Sequence, residues 1–260
     1  MRCSSCGALR TGPTPDDLRP YYASELAATM TQPGSRLFGA LRMQRLRFEV
    51  RRLQRHLDEH ALLDIGCGTG DFALAAHRRG FDVVAADGGA APPADIATLP
   101  GVRYVRFDFE SFALSGPRPS GPHVAVLRHV LEHVRDPVRL LNRLSEQGAT
   151  AFYILVPNAA SRERRLLGRH WYSWDPPRHL WHFDEESLRR VCQRAGLIQI
   201  ARGMATAPTL VPSLYSYLRL RGWPAAAYEP FGPNSWFTAL SAPLNLALRH
   251  NALWCIARAR

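Results

Sequence analysis

The stretch HALLDIGCGTGD, residues 60–71, constrains the fold more than any other part of the chain. A short apolar run ends in an acid, glycines alternate at positions 66, 68 and 70, and the apolar segment FALAAH follows. A buried strand turning sharply into a helix uses all three parts. The glycines remove Cβ atoms from the turn and allow positive φ, so the backbone can approach a ligand closely. Before this turn, Leu37, Leu41, Leu46, Val50, Leu53 and Leu57 recur among arginines and predict an amphipathic helix from about Ser35 to His60. After it, strands and helices alternate. ALLDI, FDVVAAD, VRYVRFD, HVAVL and TAFYILVP read as strands. Helices are expected at Asp71–Arg79, closed by Gly80, at Pro137–Glu146, and at 185–195 between an Asp184 N-cap and Gly196, with RHVLEHV a short turn-helix. Such alternation means a parallel sheet covered on both faces, with ligands outside the carboxyl ends of its strands. Asp64, Asp87, Asp108 and Arg128-His129 stand at those ends.

The length of 260 residues allows one α/β domain with accessory segments. We divide it into an irregular arm over 1–35, a core over 36–205, an acceptor-side cover over 206–250 and a last strand, LWCIARA, within 251–260. No apolar run reaches the roughly 18 residues of a membrane span, and the first residues are not a signal peptide, so a cytoplasmic protein is expected. A net charge of +11 and a pI of 10.2 raise the question of nucleic acid or an anionic membrane. The basic side chains are all arginine, and alanine and proline abound, a pattern that reads as coding bias across the whole chain. The clusters Arg42–Arg55 and Arg162–Arg169 read as solvated helix faces, and nucleic acid is not the expected partner. Five cysteines make no disulfide framework. Cys3 and Cys6 form one metal knuckle, half of a tetrahedral site, and bound zinc is not expected.

The glycine spacing discriminates between ligands. A dinucleotide fingerprint runs G-x-G-x-x-G, but here the third glycine comes one position early and Asp71 stands where Gly or Ala is needed. An aspartate at that helix start would repel a pyrophosphate, whereas a cationic nucleoside such as S-adenosylmethionine would be accepted. Asp87 ends the second strand, where a carboxylate can accept both ribose hydroxyls, and Asp108 is placed to accept from an adenine amino group. Each acid taken alone could equally be a helix cap or a solvated loop residue.

LLDIGCGTG resembles the first motif of the class I S-adenosylmethionine-dependent methyltransferases. VLRHVLEHVRDPVRLLNRL, ILVPN and WDPPRHLWHFDEESLRRVCQRAGL are similar to their branch containing the ubiquinone-pathway O-methyltransferases, over roughly residues 60–200. CSSCGALRTGPTPDDLRPYY resembles the arm of many such bacterial enzymes, in which a further C-x2-C lies upstream. The resemblance implies a Rossmann-like doubly wound α/β sheet of seven strands, the last antiparallel beside the fifth, with a helical C-terminal cover. It implies S-adenosylmethionine as cofactor, with Asp64, Gly66, Gly68 and Gly70 along its methionine side. Asp87 would hold the ribose, Asp108 and Phe109 the adenine, and Arg128 and His129 would lie beneath the cofactor near the methyl group.

The sulfonium is already an activated methyl donor, so the protein must hold an acceptor in line, about 3 Å from the methyl carbon, and remove its proton when required. His129, Glu132 and His133 form an H-x-x-E-H set that on a helix would share one face. In the ubiquinone-pathway enzymes an acidic-x-x-Glu-His set is associated with a divalent metal. His129 replaces the first acid here, so no metal is assigned. His129, His133 and, in PPRHLWHF, His179 are the candidate bases. Trp171, Trp174 and Trp181 would wall the acceptor side, and the aromatic, proline-rich cover could shape an apolar pocket or rest on a membrane surface. The expected acceptor is a small molecule, through oxygen, with a phenol or quinone and a sugar hydroxyl both open. An RNA-modifying enzyme and a non-catalytic cofactor-binding protein are the competing readings. Oligomeric state is left open by the sequence.

Overall fold

A computed structural model of the chain describes residues 1–22, 36–89, 91–97, 99–207 and 250–260, together with Thr209, Ser213 and Tyr217. The chain divides into two compact units. One comprises Met1–Gly39, Pro157–Leu188 and Gly203–Leu253; the other comprises Ala40–Val156, Arg189–Arg202 and Trp254–Arg260.

The second unit is built on a sheet. Its strands are β2 (Ala61–Ile65), β3 (Asp82–Asp87), β4 (Val102–Asp108), β5 (Ala113–Ser115), β6 (His123–Arg128), β7 (Ala149–Pro157), β9 (Leu197–Ala205) and β10 (Ala252–Ala259). Their order is β5-β4-β3-β2-β6-β7-β10-β9. β2 pairs in parallel with β3 and β6, β3 with β4, and β6 with β7. Ala61–Ile65 is buried throughout, as a strand covered on both faces requires. The last strand of the chain lies next to the fifth of the expected strands, as read from the sequence. The count differs: among the described residues the sheet has eight strands, not seven. The addition is β5, paired antiparallel to β4, whose three residues are too short to carry a periodic signal.

Helix α1 (Arg36–His56) buries Leu46, Val50 and Leu53. α2 (Asp71–His77) begins directly after Gly70, and Gly80, at φ 89°, follows it. α3 (Ala94–Ala97) is a single turn. α4 (Pro137–Glu146) starts at Asp136, whose Oδ1 accepts the Arg139 N–H at 3.0 Å, and turns Leu140, Leu141 and Leu144 inward. The RHVLEHV segment is an irregular turn rather than a helix, because His129 takes a left-handed φ of 56° that no helical residue adopts.

In the first unit, β1 (Leu9–Arg10) pairs antiparallel with β8 (Trp181–His182). α5 (Arg162–Leu167) is capped by Ser161, and 3-10 turns cover Gly168–His170 and Tyr172–Trp174. α6 (Glu185–Arg194), of which only the part to Leu188 belongs to this unit, begins at Asp184, whose Oδ1 accepts the Ser187 N–H at 2.8 Å. Most of the cover at 206–250, and the part of the arm at 23–35, lie outside the described residues.

Candidate functional site

The turn after β2 holds Gly66, Gly68 and Gly70 at φ 66°, 54° and 84°. A Cβ on Gly66 would stand 2.6 Å from Val130 Cγ2, and one on Gly70 would stand 2.4 Å from Ile96 Cγ1. Both glycines are therefore fixed by packing as well as by φ. Around Gly68 the space is open. Asp87, at the end of β3, accepts the Gly68 N–H at 2.8 Å through Oδ2 and the Gly88 N–H at 2.7 Å through Oδ1. The second strand thus brings its terminal acid onto the glycine turn. Phe109 lies alongside, 3.9 Å from a Cβ built on Gly66 and edge-on to Phe107 at 4.9 Å.

Asp108 is exposed, and its carboxylate accepts the Glu110 N–H at 2.9 Å and the Ser111 hydroxyl at 2.6 Å. The Ser111 hydroxyl, then the Glu110 N–H, hold this carboxyl below its usual range. Tyr104 adds its hydroxyl to this end of the sheet, donating to Gly89 O at 2.8 Å, and burial together with the charge of Asp87 pushes it up to about 12.

Beneath the turn is a set of buried charges. Arg128, at the end of β6, donates from Nε to Glu49 Oε2 at 2.8 Å and stacks over Phe72 at 5.0 Å. The Tyr153 hydroxyl donates to the same Glu49 oxygen at 3.4 Å, and Arg45 approaches Glu49 at 3.7 Å. Burial opposes the charge of Arg128, but Glu49 outweighs it and holds the guanidinium above its ordinary range. Arg128 is thus compensated from within, which makes it compatible with a cationic ligand. Glu49 was not among the residues singled out in the sequence. Its signal was there: an acid three residues after Leu46 and four before Leu53 falls on the apolar face of α1.

Asp64 is 2% exposed, and its Oδ2 is buried without a hydrogen-bond partner. Burial, only partly offset by Arg128 and reinforced by Asp87, raises its carboxyl to about 7. Neighbouring Cys67 is a buried thiol pushed up by burial and by the charges of Asp64 and Asp87.

Two sequence arguments change in detail. Asp71 is paired with Arg42 at 2.6 Å, and the Thr69 hydroxyl also donates to it at 2.9 Å. The pairing offsets part of its charge, so repulsion of a pyrophosphate is weaker than the sequence suggests. His129 does meet Glu132, Nδ1 to Oε1 at 3.3 Å, but across a turn rather than along a helix. Glu132 is fully buried while the His129 side chain is 39% exposed, and the His129 N–H donates to Leu155 O of β7. His133 is half-buried, and its N–H bonds Val130 O at 3.0 Å.

His179 belongs to the other unit. Its Nδ1 lies 2.8 Å from Ser173 O, and Nε2 lies 3.7 Å from Asp175. Thr11 of the arm donates its hydroxyl to His179 O at 2.7 Å and contacts His182 Nε2 at 2.9 Å. Trp174 packs edge-on against both His182 and Trp171. Cys3 and Cys6 form no disulfide and lie in a tight turn closed by Gly7 N–H to Cys3 O at 2.9 Å. The same unit holds an unforeseen cluster. The carboxylate of fully buried Glu163 accepts from Thr209 at 2.7 Å, Ser213 at 2.8 Å and Asn251 at 2.7 Å. Ser213 in turn accepts the Tyr172 N–H at 2.9 Å. Within the run RERRLLGR nothing in the sequence separates Glu163 from a solvated helix acid.

A family model described as a methyltransferase domain matches residues 35–200. No curated protein matches the chain by sequence. Among solved structures the chain is similar to magnesium protoporphyrin IX methyltransferase from Synechocystis PCC 6803, solved with bound S-adenosylhomocysteine. That likeness has a TM-score of 0.58 and 12% identity over 94% of this chain and 98% of that one. It is also similar to 1,6-didemethyltoxoflavin-N1-methyltransferase from Burkholderia thailandensis, solved with that substrate and S-adenosylhomocysteine, at TM-score 0.53 and 15% identity over 97% and 94%. A (4+2)-cyclase shares the fold at TM-score 0.52 and 20% identity over 83% and 80%.

Proposed function

We infer the reaction from one premise: the chain belongs to the methyltransferase-domain family and is an S-adenosylmethionine-dependent methyltransferase. We propose that it transfers the methyl group to an oxygen of a small molecule, and that its glycine turn is the cofactor cradle. The observation that carries the cradle is the meeting of Gly66, Gly68 and Gly70 at positive φ with the Asp87 carboxylate. The orphaned Asp64 oxygen and the compensated Arg128 suit a ligand that brings positive charge without phosphate. Asp87 would hold the ribose hydroxyls, Phe109 and Asp108 the adenine end, and Asp64 with the three glycines the methionine end. The bound cofactor supplies an electrophilic methyl group on a sulfonium.

His129 supports an oxygen acceptor, which must lose a proton as it is methylated. With its Nδ1–H donated to Glu132, the imidazole keeps a lone pair on Nε2 to take that proton. The VLRHVLEH and PPRHLWHF segments support a place near the ubiquinone-pathway O-methyltransferases, and His133 and His179 remain secondary candidates for the base. A lipid-linked acceptor or peripheral membrane contact would fall to the aromatic cover; no helix among the described residues is long and apolar enough to cross a membrane.

Titration calorimetry with S-adenosylmethionine tests the cradle. We expect micromolar binding by the wild type, weakened roughly tenfold or more in Asp87→Ala by loss of the ribose hydrogen bonds. Equal affinity in the two proteins would remove Asp87 from the cradle. A methyl-transfer screen over phenols, quinols, sugars and amines tests the acceptor, and turnover confined to amines would overturn the oxygen assignment.

A further inference from the structure

The arginines in and around α5 are not equivalent. In the run RERRLLGR, Arg164 stacks over Trp174 at 5.7 Å and Arg169 donates to His170 at 3.3 Å. Arg162 and Arg165, three residues apart on one face of the helix, line a cleft of about 240 Å³ that lies wholly within the first unit. Arg162 has no hydrogen-bond or charged partner among the described residues, and Arg165 reaches only Ala160 O, at 3.4 Å. His250 joins them, exposed, with an imidazole that likewise meets no partner among the described residues. Met204, which is 45% exposed, and Leu253 supply an apolar wall. Glu185, the acid among the lining residues, is outnumbered by the two guanidinium groups alone.

These cations are held in place from beneath. Fully buried Glu163 follows Arg162 on α5, and its bonds to Thr209, Ser213 and Asn251 fix which face of the helix turns outward. Asn251 adjoins His250. Buried Asn158 donates its side-chain amide to His250 O at 2.9 Å and its backbone N–H to Asn251 O at 2.8 Å. That grip keeps His250 at a left-handed φ of 79°, which a β-carbon disfavours. One buried polar network thus sets two arginines and a strained histidine around the same cleft. A solvated helix face, the reading that the sequence suggests for this run, calls for neither the cleft nor a clamped histidine. Donors fixed in advance suit an anion, because less order has to be imposed when it binds.

We propose that the cleft binds a small organic oxyanion, a carboxylate or a phosphate monoester on an apolar body. Arg162 and Arg165 clasp the oxygens, His250 adds a ring N–H, and Met204 and Leu253 receive the body. The volume of about 240 Å³ falls below the roughly 300–1,000 Å³ of ordinary ligand pockets, so the ligand is small. This site goes beyond the cofactor reading and does not depend on it.

Benzoate and phenyl phosphate serve as probes, with benzamide as the uncharged counterpart of benzoate. Calorimetry on the whole chain should give a dissociation constant of roughly millimolar or below for at least one anion, and no saturation with benzamide. The tighter anion identifies the oxyanion. Arg162→Gln combined with Arg165→Gln should weaken its binding roughly tenfold or more. Arg103→Gln combined with Arg143→Gln removes the same charge from exposed ion pairs elsewhere and should leave the affinity unchanged. Equal weakening by the two double variants would reduce the effect to net charge and overturn the site. Methyl-labelled methionine reads the location directly, since the chain has four methionines and Met204→Leu identifies the Met204 signal. That signal should shift as the anion binds. A shift confined to the other methionines, or no saturation by either anion below roughly 10 mM, overturns the proposal.

Discussion

Asp64 and Glu163 are both buried carboxylates, one in each compact unit, and they meet the cost of burial in opposite ways. Glu163 collects three donors at 2.7–2.8 Å from Thr209, Ser213 and Asn251, so its need is met entirely within the protein. Asp64 leaves an oxygen without a partner. The first arrangement fastens α5 to residues 209, 213 and 251, near the two ends of the segment read as the cover. The second keeps an unmet need beside three glycines, where a ligand can meet it. A satisfied buried acid is architecture; an unsatisfied one at a turn with positive φ points to binding.

The comparison breaks first at Glu163. Replacing it with alanine removes the acceptor that Thr209, Ser213 and Asn251 share, and we expect about 3 kcal/mol of lost stability in urea unfolding. A loss below about 1 kcal/mol would mean that the network is not a fastening.

Asp64 should behave in the opposite sense. Its folded carboxyl, at about 7, lies above its ordinary value of 3.8, so the folded protein keeps a proton that the unfolded chain has released. Its contribution is therefore present below about pH 4 and lost as pH rises through about 7. Between roughly pH 5 and pH 8 this should cost on the order of 2 kcal/mol, and Asp64→Asn should flatten that part of the melting-temperature profile. Parallel profiles for the two proteins would mean that the acid is ionised throughout.

The smallest effect belongs to Asp71, a third carboxylate, paired with Arg42 nearer the surface. Arg42→Ala should cost less than about 1 kcal/mol, with the loss shrinking in high salt. A larger loss would make this pair a structural latch on the glycine turn.

Much of the sheet was legible because its strands are apolar runs ended by acids, and the helices at 137 and 185 announced themselves through Asp136 and Asp184. β5 was not legible, since three residues carry no period. The candidate cradle was legible where chemistry and backbone coincide, at the three glycines and Asp87. The partners that set charge states were harder to see. Glu49 lies far from Arg128 in sequence, and its meaning appears only when α1 is placed with one face inward. Glu163 sits among arginines and looks like any solvated helix acid until Asn251, 88 residues away, is brought to it. The left-handed His129 replaced an expected helical turn, yet the pair it forms with Glu132 survived, because three residues can bridge the same gap along a turn.

The ladder between β1 and β8 carries a consequence for the order in which the chain matures. Thr11 finds His179 and His182 only after some 170 residues of chain intervene. During synthesis the stretch from Ala40 to Val156, which holds most of the sheet, emerges while the arm still waits for its partner strand. The wait ends only when the Trp181-His182 strand leaves the ribosome. The arm is made before the strand it pairs with and finds its place only after it.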